Sequence, residues 1–176
     1  MVFHYLEGLS AMLDVLEIPA PFISSVMTVE PQWIDYNGHL NVAYYNVLFD
    51  RAVDEFYELI GTGPDYLKRR GHSTMVAESH VRYLREIHLD TPVRVRIQLL
   101  DYDAKRMRYF EELVHATEGW LSATAENMTL HVDMAAKKVA PWPADIMQAF
   151  ARVKAAHDTL PAPAGVGRRI GMPKKP

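Results

Sequence analysis

The chain has 176 residues, 49% of them hydrophobic and 23% charged, and its 19 basic and 22 acidic side chains leave a formal net charge of −3. That is the balance of an ordinary globular domain with one core, and it excludes a partner such as nucleic acid recruited by an overall basic field. There is no cysteine, so disulfides, thiolate nucleophiles and Cys-based zinc or iron–sulfur sites are excluded and the chemistry must come from Asp, Glu, His, Ser, Thr or backbone groups.

The opening stretch MVFHYLEGLSAMLDVLEI sets Phe3, Leu6, Leu9, Leu13 and Leu16 near helical spacing, which predicts a short amphipathic helix over residues 2–17. Glu7, Asp14 and Glu17, with no basic start, make it a poor signal peptide and a worse membrane span. A cytoplasmic protein without membrane contact is the expectation. Residues 1–20 read as an N-terminal extension, 21–160 as a single domain, and 161–176 as a Pro/Gly-rich basic tail, mobile or draped on a partner.

PFISSVMTV, Pro21 to Val29, reads as a strand that ends at Glu30-Pro31. From Val42 to Ile60, Tyr45, Phe49, Ala52, Val53, Phe56 and Ile60 recur at three- and four-residue steps, with Asn41 placed to cap the start and Gly61 to stop the end. The linker GTGPDYLKRRGH follows. In TPVRVRIQLL, Val93, Val95, Ile97 and Leu99 alternate with Arg94, Arg96 and Gln98, the pattern of a half-buried strand. STMVAESHVRYL, RMRYFEELVHA and WLSATAENMTLHVD are similar, separated by turn residues. The expected order is strand, long helix, then four strands in a meander, with the sheet face covering the helix in an α+β fold. PADIMQAFARVKAAHDTL predicts a second, surface helix with Ile146, Phe150 and Val153 on one face.

The stretch WIDYNGHLNVAYY gathers Asp35, Asn37, Gly38, His39 and Asn41 just before the long helix. Asn37-Gly38 suits a sharp corner. The free N–H groups of the following helix turn can polarise a carbonyl oxygen and stabilise the oxyanion of acyl transfer, while Asp35 approaches as nucleophile or general base. His39 has three open roles: orienting Asp35, holding the turn, or touching substrate. The same residues also suit an ordinary turn with an N-cap, and spacing alone does not choose.

WIDYNGHLNVAYYNVLFDRA resembles the signature of the hotdog-fold thioesterases of the 4-hydroxybenzoyl-CoA thioesterase type. STMVAESHVRYLREI, LLDYDAKRMRYF, ATAENMTLHVD and LPAPAGVGRRIG are similar to a narrower group, the betainyl-CoA thioesterases associated with carnitine dehydrogenase. The resemblance runs from about Val26 to Ile170. It implies a hotdog fold, a curled antiparallel sheet around the long helix, in a homodimer or a dimer of dimers with sites at the subunit boundary. It also implies Asp35 as the catalytic carboxylate, backbone N–H groups near Gly38 to Asn41 on the thioester oxygen, His39 and Asn41 as motif members, and Glu78, at an acidic position of the narrower group, as a residue that could complete the site from the other subunit, with the subunit that supplies it left open. Coenzyme A enters as part of an acyl-CoA substrate, with no separate cofactor.

A betainyl group carries a quaternary ammonium, held best by aromatic faces. Trp33, Tyr36, Tyr44 and Tyr45 are the candidates, Trp33 and Tyr36 first because they lie off the helix. Tyr45, Phe49 and Phe56 also have the spacing of a helix core stripe. Lys105, Arg106 and Arg108 could meet the phosphates of coenzyme A or form a solvated strand end. His80 and His131 read as structural histidines, and no His-x-x-x-His spacing supports a metal. Two other activities on the same fold compete: 2-enoyl-CoA hydration, disfavoured because DYNGH lacks the proline and register of that site, and non-catalytic acyl-CoA binding.

Overall fold

The structure is a computed structural model that describes residues 18–172; the helix expected over residues 2–17 lies outside the described residues. Residues 21–29 form two short strands rather than one, β1 (Phe22–Ile23) and β2 (Met27–Thr28), both antiparallel to β4 (Pro92–Tyr102). The break begins at Ser24, whose hydroxyl oxygen accepts the Val95 N–H at 2.9 Å while its own N–H donates to the Val95 carbonyl at 2.9 Å. A side chain that takes a ladder donor interrupts the strand at that point.

The long helix, α1, spans Val42–Ile60 as expected. Asn41 Oδ1 accepts the Ala43 N–H at 3.0 Å, and Gly61 closes the helix in the left-handed conformation at φ +84°. All six residues of the expected stripe are buried, together with Leu48 and Tyr57. The linker after α1 is not structureless: it contains a one-turn helix, α2 (Tyr66–Arg70), pinned because buried Tyr66 meets His131 Nε2 at 3.0 Å.

Strands β3 (His72–Tyr83), β5 (Arg106–His115), β6 (Leu121–Asp133) and the short β7 (Lys138–Val139) complete one sheet with the order β1-β4-β5-β6-β3, β2 also pairing with β4 and β7 with β6. The four long strands are therefore not a simple meander. Strands β4, β5 and β6 follow one another, but β3 lies beside β6 and forms the sheet's edge. The reason lies in residues 84–91, which are too long for a tight hairpin and cross the start of α1. There Leu40 donates its N–H to the Ile87 carbonyl at 2.8 Å, Leu84 and Arg85 donate theirs to the Ser122 carbonyl, and Ile87 is fully buried.

Val93, Val95, Ile97 and Leu99 of β4 face α1, as the alternation required. The last helix, α3 (Ala144–His157), buries Ile146, Phe150 and Val153 and packs on β4. Its terminal His157 is held at both ring nitrogens: Nδ1 accepts the Leu99 N–H at 2.8 Å and Nε2 donates to the Pro19 carbonyl at 2.9 Å. The described part of the tail lies back on the sheet, with the Gly167 N–H donated to Glu126 Oε2 at 2.6 Å. Among the described residues no helix is long and apolar enough to cross a membrane.

Candidate active site

The corner before α1 is a closed turn. Asp35 and His39 are joined by the Asp35 N–H donating to the His39 carbonyl at 2.9 Å, and Gly38, at φ +79°, returns its N–H to the Asp35 carbonyl at 3.0 Å. The positive φ is one that a residue with a Cβ adopts only at a cost, so glycine suits the position. Asp35 Oδ1 accepts the Asn37 N–H at 2.8 Å and, at 3.4 Å, the more distant His39 N–H. Its other oxygen, Oδ2, has no partner among the described residues. Asp35 thus ties the turn with one oxygen and leaves the other unpaired among the described residues.

A cavity of about 340 Å³ opens on this corner, lined by Asp35, His39, Leu40, Val42 and Tyr45 and by Tyr83, Leu84, Arg85 and Glu86 from the end of β3 and beyond. The oxyanion donors need a correction. The N–H groups from Gly38 to Asn41 are all engaged: Gly38 with the Asp35 carbonyl, His39 with Asp35 Oδ1, Leu40 with the Ile87 carbonyl, and Asn41 with the Trp33 carbonyl at 2.9 Å. In the first turn of α1, Ala43 is taken by the Asn41 side chain and Tyr44 by the Asn41 carbonyl. Among the described residues the Val42 N–H has no partner; it stands at the positive end of the helix, and Val42 is one of the residues that line the cavity. The cap side chain of Asn41 satisfies Ala43, and Val42, as the first residue of the helix, has no intrahelical acceptor.

The aromatic candidates separate. Trp33 is buried, stacked on Tyr44 at 5.5 Å with the Arg51 guanidinium 4.8 Å over its ring, and Arg51 is in turn paired with Glu30 at 2.9 Å. Tyr44 and Arg51 already occupy the indole, and neither Trp33 nor Tyr44 is on the cavity wall. Tyr36 is 97% exposed at the tip of the turn. Tyr45 does line the cavity, edge to face with Tyr83 at 5.0 Å, a residue that sequence reasoning missed. Burial pushes both phenols above their ordinary range, opposed at Tyr45 by hydrogen bonds to the Ser122 side chain and the Ile87 backbone.

Glu78 is exposed beside a bulge in β3, opposite Met128. Five residues separate it from Tyr83, about 17 Å along a strand, and it is absent from the wall of this chain's cavity. Lys105, Arg106 and Arg108 lie at the far end of the sheet: Arg106 to Val114 along β5 is about 27 Å, and Val114 is the residue paired with Leu121 near the corner. Arg106 is committed to Asp103 at 2.6 Å, which holds the Asp103 carboxyl below its ordinary range, and Arg108 lies 3.5 Å from Glu126. Arg85, unremarked in the sequence, is the cation that does border the cavity, its guanidinium 4.0 Å over Trp120. His131, read as structural, is fully buried, and burial lowers its pKa.

A second, smaller cavity of about 150 Å³ lies further along α1, lined by Asn46, Phe49, Asp50, Ser79, Glu111 and Asn127 among others. Glu111 is fully buried; its Oε2 accepts Asn127 Nδ2 at 2.6 Å while Oε1 has no partner. Burial, and then the charge of Asp50, raise its pKa well above the ordinary glutamate range, with the Asn127 hydrogen bond opposing. Nothing in the alternation of RMRYFEELVHA distinguished this carboxyl from its exposed neighbours.

The fold agrees with what the chain is similar to. Residues 29–150 match the family model described as the thioesterase-like superfamily. The chain belongs to that superfamily and is a thioester hydrolase, with a hotdog fold. A curated betainyl-CoA thioesterase of Pseudomonas aeruginosa is 37% identical over 145 residues, 82% of this chain and 91% of that protein. An L-carnitine dehydrogenase/betainyl-CoA thioesterase of Rhizobium meliloti is 38% identical over 144 residues, 82% of this chain but 29% of that longer protein. A Staphylococcus aureus protein solved in complex with CoA superposes with a TM-score of 0.80 at 25% identity, covering 89% of this chain and 99% of its own.

Proposed function

We propose that the protein hydrolyses a small acyl-CoA, betainyl-CoA first among candidates, with Asp35 as the carboxylate that attacks the thioester carbonyl or activates water. The observation that carries this is the presence on the wall of one cavity of Asp35 and of Val42, the first residue of α1, whose N–H has no partner among the described residues. A carbonyl oxygen on Val42 N–H puts developing negative charge at the positive end of α1, where a preorganised donor stabilises it without reorganising. No separate cofactor is required, since coenzyme A arrives as part of the substrate. Arg85, which borders the same cavity, is the candidate cation for its phosphates.

The betainyl assignment is supported by the 37% identical relative and by a length argument. Two bonds separate the carbonyl carbon from the quaternary nitrogen, about 2.5 Å, so the cation must be recognised within the Asp35 cavity itself. Tyr45 and Tyr83 present aromatic surface there; Trp33 does not. A homodimer, or a dimer of dimers, is supported by β3, a 12-residue edge strand with Met75 and Val76 exposed near its middle, because an unpaired edge of that length is a template for a second copy. A cytoplasmic place of action belongs to the same proposal.

The test is thiol release from betainyl-CoA, acetyl-CoA, a medium-chain acyl-CoA and an aryl-CoA. Selective release from betainyl-CoA, reduced by about 10²–10⁴-fold in Asp35→Asn, is expected; the asparagine keeps an acceptor for the Asn37 N–H. Release unaffected by that substitution would remove Asp35 from the mechanism, and release only from other esters would discard the betainyl group.

A further inference from the structure

We propose that His39, Glu86 and His88 form a binding site for a divalent transition-metal ion of the zinc class at the rim of the Asp35 cavity. His39 comes from the corner, whereas Glu86 and His88 come from the crossing between β3 and β4. The hydrogen bond from Leu40 N–H to the Ile87 carbonyl joins the two segments, and buried Ile87 between Glu86 and His88 turns both flanking side chains outward beside His39. One ligand atom from each of the three lies within 4.8 Å of the other two.

The distances suit an ion better than direct hydrogen bonds. His39 Nε2 is 3.5 Å from Glu86 Oε2 and His88 Nε2 is 3.7 Å from Glu86 Oε1, both beyond ordinary hydrogen-bond length. With zinc–ligand distances of about 2.0–2.2 Å, the edge of a coordination tetrahedron is about 3.3–3.6 Å, so the two histidine–glutamate distances are already near it and the three atoms, within 4.8 Å of one another, close on an ion by side-chain rotation at the surface. The tautomer is also prepared. His88 Nδ1 lies 3.2 Å from the Gly38 carbonyl, which can only accept, so Nδ1 carries a proton and Nε2 is the nitrogen available to a ligand. A ring N–H given to a carbonyl is the usual support of a metal-ligating histidine, because it fixes the ring and turns the other nitrogen toward the ion. The imidazoles of His39 and His88 meet edge to face at 5.0 Å.

Two imidazoles and one carboxylate favour zinc, cobalt or nickel over magnesium or calcium. The side chains are 37–59% exposed, open to an aquated ion and leaving a coordination position free. No spacing in the sequence groups these residues; tertiary folding does. His39 and Glu86 also wall the Asp35 cavity, so an ion here sits where the substrate enters.

The test uses the full chain without an affinity tag, stripped by chelator and titrated with cobalt and zinc by calorimetry and visible absorption. One ion per chain is expected, with cobalt ligand-field bands that zinc abolishes. Loss of a supporting partner alone costs about 10–100-fold in metal affinity, so His88→Ala and Glu86→Gln should each weaken binding at least tenfold, while His115→Ala, at the end of β5, leaves it unchanged. Absence of binding, or binding indifferent to both His88→Ala and Glu86→Gln, overturns the site. Because the measurement contains no acyl-CoA, its failure is separate from failure of the thioesterase assignment.

Discussion

Replacing Glu111 by Gln should stabilise the protein, and increasingly so as pH rises. The carboxyl is fully buried, its Oε1 is unpartnered, and both burial and the Asp50 charge raise its pKa. For a group raised in the folded state, the folded chain holds a proton that the unfolded chain releases above about pH 4.3. The contribution of Glu111 to stability is therefore fully present below that pH and is lost as pH rises toward the folded pKa, at up to about 1.4 kcal/mol per pH unit. The glutamine of Glu111→Gln does not titrate and keeps an oxygen to accept Asn127 Nδ2. Wild type and variant should differ little at pH 4.5, and the variant should gain progressively through pH 6 and 7. For a chain of this length about 1 kcal/mol corresponds to about 2–4 °C in Tm, well within the reach of urea or thermal unfolding at one fixed protein concentration. Parallel stability curves for the two proteins from pH 4.5 to 7.5 would show that Glu111 is not held protonated, and would refute the assignment of burial as the dominant cause.

Trp33→Leu should cost about 2–4 kcal/mol of stability, through the lost stack on Tyr44 and the Arg51 contact, while changing turnover of betainyl and neutral acyl esters alike; a loss confined to the betainyl ester would restore the indole as a cation-binding wall. Asn41→Ala removes the cap on the Ala43 N–H and should lower stability by about 1 kcal/mol in chemical denaturation. Gly61→Ala forces a Cβ into φ +84° and to 3.3 Å from Ile146 Cδ1, for a loss of about 1–2 kcal/mol measured the same way.

The elements that read well were those where one local rule suffices. The stripe of α1 and the alternation of β4 each follow from the period of a regular backbone with one buried side, and Asn41 and Gly61 bound the helix by short-range hydrogen bonding and backbone conformation. The strand expected over 21–29 failed because Ser24 diverts a hydrogen bond that composition does not show. The meander failed because adjacency in a sheet is decided by where a connection can travel, and residues 84–91 travel across the start of α1.

The corner divides in the same way. By itself the sequence determined that an acid, a left-handed glycine and a helix cap would lie together before α1, because residues so close along the chain have few places to go. Only the tertiary structure decided the rest: that the Leu40 N–H is taken by the Ile87 carbonyl, that Trp33 faces Tyr44 and Arg51, that Arg106 is at the far end of the sheet, and that Tyr83, Arg85, Glu86 and His88 come to the corner. Those outcomes depend on long-range pairing of β3 with β6 and on the buried anchor Ile87. Contacts between residues so distant in sequence are set by the closure of the whole core, and no local period encodes them.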